Sequence, residues 1–217
     1  VFRDLTVWYP EQDPVNPIAY PPTLVSGGKP SIENVTLVNS YVGIDIPNSN
    51  FILLRNIYGS PLNTGVYAGA SGAVPRFDNL NFFSGYWKVL YRTGGNPHGE
   101  AFGCTITNCD YAVDLSTHGI DFVHSTLEGS VAAVRSADPL EFNACAITNT
   151  TGGNAIVAAN DSVTLVNSSY SGSVVVGGDF KNLTYDRVAP PFDTTYNNVR
   201  KPYTNAIFNE KDFGAVG

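Results

Sequence analysis

The sequence predicts an all-β fold, a right-handed parallel β-helix or solenoid with about eight rungs. Three observations carry that expectation. A short alternating strand closed by a polar turn recurs along the chain: SIENVTLVNS (31–40), FDNLNFFS (77–84), FGCTITNC (102–109), EFNACAITNT (141–150), SVTLVNSS (162–169) and FKNLTYDR (180–187). A second short strand follows most of these turns: GIDI (43–46), GVYA (65–68), KVLY (88–91), AVDL (112–115), AAVR (132–135), AIVA (155–158) and SVVV (173–176). Only 14% of the 217 residues are charged, 21 are glycine, and no segment shows the 3.6-residue apolar period of a helical solenoid. One rung of about 20 residues cannot bury its own apolar face, but rungs stacked about 4.8 Å apart share one core. A β-sandwich would also give many short strands, but not the same polar residue at the same point of each repeat.

Taken in order, Val1–Val7 reads as a rung strand, and 9–30 as a long irregular Pro-rich loop. Aligned repeats put Asn39, Pro61, Ser84, Asn108, Gly129, Asn149, Asn167 and Arg187 in one column. There, side-chain amides satisfy the backbone groups of the turns. On the second strand the inward positions are Ile44, Val66, Val89, Val113, Val134, Ile156 and Val174. The outward ones are Asp45, Tyr67, Leu90, Asp114, Arg135, Val157 and Val175. Cys104 and Cys145 share an inward column with Ser125 between them. Two rungs span about 10 Å, too far for a disulfide, so Cys104, Cys109 and Cys145 read as buried thiols. The β-helix occupies 1–188, an extended linker 189–207, and the first strand of a following module 208–217. The chain has no Met and starts at Val1, so we expect it to be part of a longer polypeptide.

The net charge of −7 and the lack of a basic stripe argue against a nucleic-acid partner. An acidic surface disfavours an anionic membrane, and no apolar run approaches the roughly 20 residues of a membrane span. Signal, polybasic and lipidation motifs are not seen.

Chemistry concentrates in 92–128, which holds all three histidines and the carboxylates of Glu100, Asp110, Asp114, Asp121 and Glu128. Glycoside cleavage needs two carboxyl groups about 5 to 10 Å apart. Asp110 and Asp114 share a rung and His118 follows at the next turn, which makes that trio the first catalytic candidate. Glu100 joins it from the loop GGNPHGE (94–100), where His98 also lies. Asp45 and Asp114 stand three rungs apart, about 14 Å, too far to cooperate. Asp114 and Arg135 are one rung apart and suit an ion pair. Sugar faces stack on aromatic rings, so Trp87, Tyr91 and Tyr67 are binding candidates with Arg135 and His98, and Trp8 and Tyr9 offer further rings. No Cys/His spacing marks a metal site and no cofactor is implied, although carboxylates leave a calcium ion open. Sequons occur at Asn34, Asn149, Asn160, Asn167 and Asn182, with Asn34 and Asn167 in strand and ladder positions.

The closing segment FNEKDFGAVG (208–217) resembles the opening strand of pectate-lyase-like β-helix modules, matching at Asp212, Phe213, Gly214, Ala215 and Gly217. LTVWYPEQ (5–12), PSIENVTLVNSYVGI (30–44) and LLRNIYGSPLNTGV (53–66) resemble the first module of tandem β-helix proteins, similar to glycoside hydrolase family 55. That resemblance implies a secreted or cell-surface, polysaccharide-degrading protein of β-glucanase type. Its partners would be polysaccharide and a second β-helix module, which carries the catalytic acid in that family. No catalytic motif of the family matches here. Polygalacturonases share the fold, but of their motifs only Asn108-Cys109-Asp110 and Thr117-His118-Gly119 have counterparts; a D-D pair and R-x-K are missing. A polysaccharide lyase is less favoured, and the alternative is a non-catalytic carbohydrate-binding, adhesin or tailspike-like module.

Overall fold

A computed structural model describes residues 1–47, 51–69, 74–83, 85–93, 99–115 and 120–185, with 85–93 as backbone course only. The chain divides into Val1–Leu183 and Thr184–Gly217. The expected linker and following strand, 189–217, lie outside the described residues, as do Arg187, His98 and His118.

The described residues form parallel strands and no helix. Strand Ser31–Val38 shows how the sequence makes a rung. Ile32, Val35 and Leu37 are fully buried while Glu33 and Thr36 face out. The period-two pattern slips by one residue at Asn34, whose φ of +54° bends the strand into a corner. Phe51–Ser60 and Val74–Phe82 bend the same way at Asn56 and Asn79. Later rungs split into two strands at the same corner: Gly99–Phe102 and Thr105–Ile106, Ile120–Val123 and Thr126–Gly129, Leu140–Asn143 and Ala146–Asn149.

These strands make a 13-stranded sheet with a leading face before the corner and a trailing face after it. The predicted second strands form a separate 8-stranded sheet that runs from Leu24–Val25 to Ser173–Val176. Between its incomplete terminal rungs the stack makes about 6 full turns, slightly fewer than the eight rungs expected. Its terminal rungs are incomplete: Leu24–Val25 is two residues long, and Ser173–Val176 is only half-buried at the open edge.

The corner is one register column: Asp4, Asn34, Asn56, Asn79, Gly103, His124, Ala144 and Asn167, all with φ between 48° and 59°. Asn34 donates to Asp4 at 2.8 Å, Asn56 to Asn34 at 2.9 Å and Asn79 to Asn56 at 3.0 Å. The expected asparagine column needs a correction here. Asn39, Asn108 and Asn149 stay in it, but Asn167 belongs to the corner, because the strand pairing carries Asn149 onto Gly172. Asn149 does what was expected of that column. Its amide donates to the carbonyls of Ser130, Val131 and Asn154, and its oxygen accepts from the amides of Thr151 and Gly153.

Inside the corner, Leu5, Val35, Ile57 and Leu80 give way to Cys104, Ser125, Cys145 and Ser168. Where the strands break, the side chain takes over the ladder. The Cys104 amide donates to Ser125 Oγ at 3.1 Å, the Ser125 amide to Cys145 Sγ at 3.4 Å and the Cys145 amide to Ser168 Oγ at 2.9 Å. All three cysteines are free and buried. Burial pushes the thiols of Cys104 and Cys109 up to about 12, which keeps them protonated and unreactive. Phe122 stacks on Phe142 one rung away, with centroids 5.5 Å apart.

On the second sheet, Val66 and Val113 both pair with Leu90, not Val89, and Tyr67 and Asp114 both pair with Tyr91. The rung 88–91 is therefore shifted by one residue from the expected alignment. A register slip between Cys109 and Tyr111 lies beside it.

Candidate functional site

The outer surface offers three faces of different chemistry. The second sheet places Asp45, Tyr67, Tyr91, Asp114 and Arg135 in one outward register column. Arg135 Nε donates to Asp114 Oδ1 at 2.6 Å and its Nη2 to Oδ2 at 2.8 Å. The guanidinium lies 4.6 Å from the centre of the Tyr111 ring. Asp114 is only 2% exposed, so this expected ion pair has a buried carboxylate, while the Arg135 side chain stays 43% exposed. Asp110 sits in strand Cys109–Leu115 and accepts from Ser130 Oγ at 2.8 Å. Asp45 has a buried carboxylate oxygen with no hydrogen-bond partner, and burial raises its pKa.

The leading face is charged. One column runs Arg76, Glu100, Asp121, Glu141, Thr164 and Lys181, and the next runs Arg3, Glu33, Arg55 and Asp78. Arg55 and Arg76 both reach Asp78, at 3.3 and 3.2 Å, and Arg76 approaches Glu100 at 3.7 Å. Glu100 is therefore on a strand, Gly99–Phe102, and not in the loop expected for it. Its column brings Glu100, Asp121 and Glu141 onto three successive rungs. A shallow cleft of about 280 Å³ opens there, lined by Asp121, Pro139, Leu140, Glu141, Ser162 and Thr164.

The trailing face is almost free of charge. Its columns are Thr6, Thr36, Tyr58, Asn81, Thr105, Thr126, Ala146 and Ser169, and Trp8, Val38, Ser60, Phe83, Thr107, Glu128, Thr148 and Ser171. Glu128 is the one ionisable acid or base other than Tyr58 among them. Trp8, Tyr58 and Phe83 are 63%, 38% and 55% exposed.

The expected site residues thus divide. Asp114, Asp110, Arg135 and Tyr67 lie on the second sheet, and Tyr91 takes a register position there, as Trp87 does in strand Gly85–Thr93. Glu100 lies on the leading face of the other sheet, so no shared constellation with Asp114 forms through the register. His98 and His118 fall outside the described residues. Asp121 and Glu141, beside Glu100, are the carboxylates that the sequence reading did not single out as a pair. The signal was the alignment of GEAF, IDFV and LEFN, which puts the three acids in one column. No group of three or more His, Cys, Asp or Glu among the described residues is placed to hold a metal ion. No helix among them is long and apolar enough to cross a membrane.

Comparison with protein-family models, with curated proteins and with solved structures finds no match to this chain. The parallel solenoid is consistent with the β-helix superfamily, and the narrower likenesses to glycoside hydrolase family 55 and to pectate lyases have no support beyond the motifs named above.

Proposed function

We propose that this chain is a secreted, carbohydrate-active β-solenoid module that takes part in the hydrolysis of a polysaccharide. The observation that supports this reading is the cleft on the leading face, where Asp121 and Glu141 occupy adjacent rungs. Adjacent strands lie about 4.8 Å apart, near the separation of about 5 to 5.5 Å at which one carboxylate attacks the sugar carbon and the other protonates the leaving oxygen. Glu100 extends the acidic column by one rung toward Arg76. A second β-helix module as a partner of this one is part of the proposal.

Sugar release from a panel of neutral and acidic polysaccharides tests it. Asp121→Asn and Glu141→Gln should each lower kcat by about a hundredfold or more. Turnover unchanged in both variants contradicts the assignment of the pair.

A second reading, binding without cleavage, draws on a separate observation. Two of the carboxylates first expected to be catalytic already have structural partners, Asp114 in Arg135 and Asp110 in Ser130. That reading expects glycan binding with no sugar release, and binding unaffected by Asp114→Asn in protein that remains folded.

A further inference from the structure

We infer that the trailing face is a docking surface for an uncharged polysaccharide laid across the strands, along the axis of the stack. The inference takes its substrate class from the function proposed above, but it places the contact on a different face from the cleft.

Three features of the face point to such a partner. Trp8, Tyr58 and Phe83 stand on the first, third and fourth rungs, all three substantially exposed. Trp8 and Phe83 share one column, and Tyr58 lies in the neighbouring column on a rung between theirs. Large aromatic rings held out on a rigid sheet present flat apolar surfaces of the kind that cover the C–H face of a sugar ring. Beyond them the face continues as hydroxyl groups. Those of Thr105, Thr107 and Thr126 make no hydrogen bond to any described residue, whereas Ser125, Ser130 and Thr151 on other parts of the solenoid are bonded within it. A hydroxyl both donates and accepts, so a row of them repeated at the strand spacing suits a polymer that repeats its own hydroxyls.

Charge decides which polymer. Among the described residues, Glu128 is the one carboxylate on the face and no lysine or arginine stands on it, in contrast to the mixed ion pairs of the leading face. A uronate or sulfated chain would find no cation here, and the single carboxylate would repel it. A neutral chain meets no such cost. The platform from Trp8 to Ser171 crosses every rung between them, seven strand steps or about 34 Å, which suits an extended polymer better than a single sugar.

Affinity electrophoresis tests the inference. The full chain is run in gels holding a neutral β-1,3-glucan, β-1,4-glucan, mannan or xylan, and in gels holding polygalacturonate. We expect retardation by at least one neutral polymer and none by polygalacturonate. Tyr58→Ala/Phe83→Ala should weaken retention about tenfold, about 1.4 kcal/mol for the two rings together. A second variant, Thr105→Glu/Thr126→Glu, adds charge to the face without removing a ring and should weaken retention too. Thermal unfolding confirms that both variants are folded. Absence of retention on every neutral polymer overturns the inference, and so does retention that survives both variants. Self-association of the chain that is lost with the two rings also overturns it, by assigning the face to a second copy. Retention without sugar release sinks the hydrolase reading and leaves this one standing. Sugar release without retention does the reverse.

Discussion

The leading and trailing faces are built from the same strands, on either side of one corner residue per rung, yet their chemistry differs sharply. Before the corner, Arg55, Arg76, Asp78 and Glu100 form a web of ion pairs across successive rungs. After it, Thr, Ser, Asn and aromatic residues stand in the equivalent outward positions. The solenoid does not require this. Both faces bury the same kind of residue inward, such as Phe77 and Phe82 from one strand and Phe122 and Leu127 from a later rung. The difference teaches that the core specifies the stack, while each outer face is free to take the chemistry of a separate partner.

Salt bridges give the largest expected contrast between surfaces. Arg135→Ala leaves the carboxylate of Asp114, 3% exposed as a side chain, without its bidentate partner. We expect a loss of about 3 kcal/mol in urea unfolding, below the upper end of the usual range because Arg135 itself is partly exposed. Arg76→Ala, on the leading face, should cost under about 1 kcal/mol, since its side chain is 46% exposed and Asp78 keeps Arg55. Equal losses would contradict the division into a pair with a buried carboxylate and a solvated web.

The corner gives the next contrast. Asn56→Val places a β-branched side chain at φ +53° and breaks the hydrogen bonds to Asn34 and from Asn79. A cost of about 2–3 kcal/mol is expected, with Asn56→Gly cheaper because glycine tolerates that backbone. Further along, Ser125→Ala removes the acceptor of the buried Cys104 amide and should cost about 1–2 kcal/mol. If Ser125→Ala is neutral, the side-chain ladder inside the split corner is not holding the rungs in place of the backbone.

The smallest expected effect concerns Asp45. Burial raises its pKa above the ordinary value of 3.8. The folded state therefore favours the protonated form. Stability from this group is fully present below the ordinary carboxylate value and is lost as pH rises through the raised one. Asp45→Asn should raise Tm at pH 7 and leave it nearly unchanged at pH 3. A lower Tm at pH 7 would show that the carboxylate has a stabilising partner when ionised.

Much of the fold was legible because alternation and repeat length are direct consequences of strand geometry and stacking. The Cys104–Ser125–Cys145 column and the Asp114–Arg135 pair followed from alignment alone. Four things did not. The segment KVLY offers adjacent apolar residues, so period two fits Val89 or Leu90 inward equally well, and only the pairing with Val66 and Val113 decides. Asn167 was misplaced because two different turns in each rung accept asparagine with a left-handed backbone, Asn56 and Asn79 at the corner and Asn39 and Asn108 at the other turn. The acidic column was missed because Glu100, Asp121 and Glu141 are about 20 residues apart in sequence and meet only through the stack. The trailing face was missed for the same reason. Trp8, Tyr58 and Phe83 come from separate rungs; Trp8 was read only as a single candidate ring, and Tyr58 and Phe83 were not singled out.

Oxidative footprinting of the aromatic side chains, with and without the retained neutral polysaccharide, tests the division of faces most directly. The account predicts protection of Trp8, Tyr58 and Phe83, with Tyr67 and Tyr111 of the second sheet unchanged. Protection of Tyr67 and Tyr111, with Trp8, Tyr58 and Phe83 still fully oxidised, would contradict it and return the glycan to the face of Asp114 and Arg135.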